Sequence, residues 1–96
     1  MAIGPHVSHT SDAAILSRLI RPEADNLPPP AAEAWLAIRF EQGDLDRMHE
    51  LATKNQDDKL TAKDKTELEN YRRVSFLLDL MHSKARRSLK KHNAVH

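Results

Sequence analysis

Beyond Gly43 the chain runs 53 residues to its end without a glycine or a proline. Such a stretch has few ways to build a tight turn or interrupt a backbone ladder, so it favours helix. Its apolar residues follow the helical period. Leu45, Met48, Leu51 and Ala52 share one face, with Asp44 as the expected N-cap and the polar run 55–59 as the break. Thr61-Ala62-Lys63-Asp64 has the form of a capping box in which Asp64 stands where Glu is usual. From there Leu68, Tyr71, Val74, Leu78, Met81, Ala85 and Leu89 recur at steps of three and four, and the helix is expected to reach about Lys91. Thirty residues extend roughly 45 Å, more than a small globule needs.

The first part of the chain is punctuated differently. Residues 1–10, with Gly4 and Pro5, read as a flexible leader. Ser11 or Asp12 can cap a short helix carrying Ile15, Leu16, Leu19 and Ile20 on one face, and Pro22 stops it. Residues 21–30 form a connector, made stiff by Pro28, Pro29 and Pro30. Pro30 also suits the first turn of a helix, where its missing N–H is no loss. Residues 31–40 then read as a second helix bearing Trp35, Leu36, Ile38 and Phe40, with Gly43 as its end. The expected fold is all-α: a short N-terminal helix, a proline-rich connector, two short helices and one long C-terminal helix. In domain terms this is a leader over 1–10 and a single small helical domain over 11–96, with a basic tail over 84–96.

Composition limits what such a chain can do. One Trp, one Tyr and two Phe leave the core to Leu, Ile and Met. A core this modest points to help from a partner or from self-association. The absence of cysteine excludes disulfides, thiolate zinc sites and cysteine nucleophiles, and fits a cytoplasmic location. No apolar run approaches the ~20 residues a bilayer span needs, and residues 1–20 lack the basic start and apolar stretch of a signal peptide.

The polar residues form no catalytic or metal-binding pattern. His6 and His9 are three apart in the leader, His49-Glu50 has no second histidine four residues on, and His82, His92 and His96 sit near the basic end. None gives the three or four ligands of a metal site at a suitable spacing. No nucleophile elbow, Gly-rich phosphate loop or Asp-rich metal motif occurs, and only two glycines are present. The expectation is a chain that is not an enzyme and carries no cofactor.

Charge is distributed unevenly. Residues 1–53 hold four basic and eight acidic residues, net −4; residues 54–96 hold eleven and six, net +5. Lys84, Arg86, Arg87, Lys90 and Lys91 lie in a stretch from Ser83 to the end that contains no acid. Two or three cations would complement a helix dipole; five suggest docking on an acidic partner surface or on nucleic-acid phosphates. No aromatic lies within the cluster, which argues against single-strand stacking.

The long apolar stripe is wide. Phe76, Leu77, Leu78, Leu80 and Met81 cannot share one side of a helix at about 100° per residue. Either the earlier helices wrap around it or a second chain shares it. Trp35, Leu36 and Phe40 are the expected anchors for a partner, and Leu78, Met81, Ala85 and Leu89 the expected helix-in-groove face.

Three segments carry a resemblance: Arg47-Met48-His49-Glu50-Leu51-Ala52, Leu60-Thr61 followed by Glu67-Leu68-Glu69-Asn70-Tyr71, and Ser83-Lys84-Ala85-Arg86-Arg87-Ser88-Leu89. Over roughly residues 36–91 the chain resembles a group of small, uncharacterised bacterial helical proteins often encoded beside an HNH-type endonuclease, as antitoxins are beside toxins. Ala62 and Ser75 stand where that group has proline and glycine, which favours a straighter last helix. The resemblance implies a small helical partner of a nuclease. Its motifs specify caps and packing rather than a site.

Together these features point to a non-catalytic protein-interaction module, antitoxin-like or accessory to a bacterial nuclease, or else self-associating. Two alternatives remain: a small nucleic-acid-binding regulator and a structural subunit of a larger assembly. The regulator would use the basic C-terminal residues together with Arg72 and Arg73.

Overall fold

The computed structural model describes residues 11–94, and the leader expected over 1–10 lies outside them. The described residues form four α-helices and no strand. Helix α1, Asp12–Ile20, starts where Ser11 accepts the Ala14 N–H on its hydroxyl at 3.2 Å. It ends at Arg21, whose backbone turns left-handed (φ 54°) and whose N–H returns to the Ser17 carbonyl. The connector then runs along the chain's last helix, with the Leu27 N–H donating to the Ser88 hydroxyl at 3.1 Å and Asp25 pairing with Lys91 at 3.2 Å.

Helix α2, Pro29–Leu36, begins two residues before the expected Ala31, with two prolines in its first turn, where neither is missed as a donor. It stops well short of Phe40. The Ile38 carbonyl lies 2.9 Å from His82 Nε2, and Phe40 packs edge-on against Tyr71 with ring centroids 6.2 Å apart. These long-range partners hold residues 38–41 out of the helix.

Helix α3, Gln42–Gln56, also starts differently from the sequence expectation. Gly43 lies in its first turn instead of ending α2, and Glu41 occupies the N-cap position without a side-chain bond. Asp44 does not cap; its carboxylate accepts the Tyr71 hydroxyl at 2.8 Å. At the other end Asp58 takes a left-handed conformation (φ 57°). The Lys59 N–H reaches the Lys54 carbonyl and the Asp58 N–H the Asn55 carbonyl, the pair of bonds that closes a Schellman turn.

Helix α4, Ala62–Ala94, is 33 residues long, about 50 Å. It opens on the capping box anticipated from the sequence: the Asp64 N–H donates to the Thr61 hydroxyl at 3.0 Å and the Thr61 N–H to the Asp64 carboxylate at 3.2 Å. The segment read as a basic tail from residue 84 is, as far as Ala94, the last third of this helix, with Lys84, Ala85 and Ser88 buried.

Helices α1, α2 and α3 each pack on α4, and no two of them pack on one another. Helical rotation explains why. Asp64, Leu68 and Tyr71, near the α3 junction, lie about 120° around α4 from Lys84, Ala85 and Ser88, at the α2 end. The two short helices therefore meet different sides of α4 at different heights. The outcome is a thin plate, 52 × 42 × 16 Å, with a radius of gyration of 16.9 Å against about 12 Å for a compact chain of this length. The buried core is correspondingly small. Leu51 is the one large side chain among the described residues wholly removed from solvent; Leu68, Ala32 and Ala85 complete the buried apolar set, and α1 contributes nothing to it. None of the helices among the described residues is long and apolar enough to cross a membrane.

Candidate functional site

The extended segment 38–41 and the middle of α4 enclose an open groove of about 270 Å³. Ile38, Phe40, Val74, Leu77, Leu78 and Met81 supply its apolar wall, and Arg39, Glu41 and Asp44 its polar rim. A second hollow continues it past Phe40 and Val74 to Asn70, Tyr71 and Glu67. Ile38 and Val74 are each 48 % exposed, and Leu45 at the start of α3 is 44 % exposed. On α4 the groove wall Val74, Leu77, Leu78 and Met81 lies on the same side as Ala85 and Ser88, which are covered nearer the C-terminus. The groove is thus the uncovered continuation of the surface on which this chain packs its own α2.

Beside the second hollow, which Glu67 lines, a network of ions clamps α3 to α4. Arg47 forks onto Glu67, with Nε and Nη2 each donating at 2.8 Å, and Nη2 also reaches Asp64 at 3.1 Å. Nη1 lies 3.1 Å from Glu50, and Lys54 lies 3.5 Å from Asp64. The bonds to Glu67 and then Glu50 push Arg47 further above its ordinary range. Asp64 is held below the usual carboxylate range, first by the Thr61 N–H and with help from Lys54; Glu67 is held low by Arg47. The bond to Asp44, with burial, raises the Tyr71 phenol. Arg47, Glu67 and Tyr71, which carry bonds across the α3–α4 junction, all fall in the segments that carry the resemblance.

The residues expected to contact a partner separate into groups. Phe40, Leu78 and Met81 line the groove. Trp35 and Leu36 are half-buried on α2, away from it, and the Lys84 ammonium sits 5.9 Å from the Trp35 ring centroid. Ala85 is wholly buried, and Leu89 half-buried, at the C-terminal end of α4 where the connector lies. Ala85 therefore cannot present a face to another chain: its small side chain lies where α4 is covered.

The basic cluster divides as well. Lys84 is 8 % exposed and donates to the Ile20 carbonyl at 2.7 Å, so it caps the C-terminal end of α1 instead of standing free. Lys91 pairs with Asp25. Arg86, Arg87 and Lys90 remain exposed. The groove residues not expected from sequence are Ile38, Arg39, Glu41, Asp44, Val74 and Leu77. The first two were placed on a helix that ends before them, and the open wall of α4 becomes visible only once α2's short footprint is known.

Among the described residues no group of three or more His, Asp or Glu side chains is placed to hold a metal ion. No family model matches the chain, and neither a curated protein nor a solved structure is significantly similar to it.

Proposed function

We propose that this chain is a non-catalytic docking module that seats an amphipathic helix of a partner protein in the groove between residues 38–41 and α4. One observation carries the reading: an apolar wall of Ile38, Phe40, Val74, Leu77, Leu78 and Met81 stands open in a plate that wholly buries only one large side chain among the described residues. Contiguous apolar surface of this kind marks an interaction site more often than a free face. A helix is the occupant that fits, because α2 already packs on the adjoining stretch of the same side of α4. Arg39 and Glu41 on the rim make no ion pair among the described residues and can set the orientation of the incoming helix.

The antitoxin-like form of this reading, in which the partner is an HNH-type nuclease, is supported by the resemblance described above. It is tested by co-expressing the chain with an HNH-type endonuclease of its own genome and measuring complex formation by size-exclusion chromatography with light scattering. A stable complex with wild type, lost with Val74→Asp, is the expected result. Val74 is half in solvent, so the variant should keep its fold, which circular dichroism verifies. A complex that forms equally with Val74→Asp and with Ile38→Asp would place the interface elsewhere and refute the groove.

A further inference from the structure

The side of α4 opposite the groove carries a second surface. Arg72, Phe76, Asp79, Ser83, Arg86 and Lys90 follow one another at steps of four and three, with Arg87 beside them. All but half-buried Ser83 are exposed. After Asp79 this face contains no acid, and neither does the rest of the chain. Arg86, Arg87 and Lys90 have no carboxylate within 4 Å among the described residues, whereas Lys84 and Lys91 of the same cluster are engaged with α1 and the connector. Among the described residues the structure thus sorts five cations into two that hold the fold together and three without a carboxylate partner at one end of a continuous helix.

We propose that Arg86, Arg87 and Lys90 form a contact surface for the phosphate backbone of duplex nucleic acid, on the side of α4 away from the protein-docking groove. Three observations favour this partner. Guanidinium and ammonium groups exposed together on one helix match closely spaced phosphates. The stripe offers one aromatic, Phe76, where single-strand recognition uses several as stacking platforms. The polar side chains near the cations, Ser83 and Asn93, are few, so contacts would position the chain without reading bases. With the groove free on the opposite side, the plate can hold a protein and a duplex at once.

The test is fluorescence anisotropy of the full chain with a labelled 20-base-pair duplex at 50 and 200 mM salt. Three phosphate contacts give a log–log salt slope near −2.7, so affinity should fall about 40-fold over that range. Arg86→Gln/Arg87→Gln/Lys90→Gln, all at exposed positions, should flatten the slope by about 2.7 while leaving the circular dichroism unchanged. Lys59→Gln/Lys63→Gln/Lys65→Gln removes the same charge from around the other end of the helix and should leave the slope nearly intact. Absence of salt-dependent binding at 50 mM overturns the proposal. So does an equal loss in both triple variants, which would signal net charge alone. Binding of poly-glutamate as tight as that of the duplex also overturns it, because it would point to an acidic protein surface as the target. None of these outcomes depends on the groove, whose variant Val74→Asp should bind duplex as wild type does.

Discussion

Truncating Leu51 to alanine tests both the core and the architecture. Leu51 is the one large side chain among the described residues with no solvent exposure, and it belongs to α3, which packs only on α4. Leu→Ala at such a position removes the transfer free energy of the lost carbons and leaves a cavity, costing about 3–5 kcal/mol. The plate is 16 Å thick, so solvent and neighbouring side chains can close part of the void, and the lower end, about 3 kcal/mol, is expected here. That is a large share of the ~5–15 kcal/mol that keeps a typical domain folded, and corresponds to a fall of roughly 12–24 °C in midpoint. The effect should also be local. Since α3 and α2 touch only α4, loosening one reaches the other only through that helix. Trp35, the single tryptophan, reports on α2. Thermal unfolding followed at 222 nm should therefore shift more in Leu51→Ala than unfolding followed by Trp35 fluorescence. A loss below about 1 kcal/mol would show that Leu51 is not core, and identical shifts by both probes would refute independent docking of the short helices.

Further outcomes follow from single residues. Gly43→Ala should stabilise the chain by about 0.5–1 kcal/mol in urea titration, because Gly43 sits in the first turn of α3 with open space for 4 Å around the place a Cβ would take; a destabilised variant would mean the glycine conformation is required. Asp58→Gly should also stabilise, since Asp58 holds a left-handed conformation that glycine adopts without strain. Lys84→Met should cost about 2 kcal/mol through the lost bond to the Ile20 carbonyl, and hydrogen exchange should rise first in α1; uniform exchange would contradict its role as the clasp of that helix. Asp64 and Glu67 are depressed in the folded chain, so their contribution is complete above the usual carboxylate range near ~4 and is lost as pH falls through their lower folded values. Tyr71 is raised, so its contribution is complete below ~10 and is lost as pH climbs beyond that. Urea midpoints measured across pH should show both edges, and Glu67→Gln should weaken the acid one.

Local rules of this protein were legible in its residues. A stretch of 53 residues free of glycine and proline, apolar positions at helical spacing and Thr61-Ala62-Lys63-Asp64 were enough to place the long helix and its cap, because capping and periodicity act over three or four neighbours. Pro28, Pro29 and Pro30 likewise marked the approach to α2. Features that depend on distant partners were not legible in the same way. Phe40 and Ile38 left helical conformation to meet Tyr71 and His82, which lie 31 and 44 residues away. Asp44 gave up capping for the Tyr71 hydroxyl, 27 residues on. The basic cluster looked uniform in sequence, yet Lys84 was drawn beside Trp35 to an α1 carbonyl and Lys91 to Asp25, leaving three cations outside. Periodicity shows that α4 is apolar on more than one side, but not which side is covered at which height. That follows from where three short helices land on a helix turning 100° per residue, and it leaves the groove open on one side and Arg86, Arg87 and Lys90 free on the other.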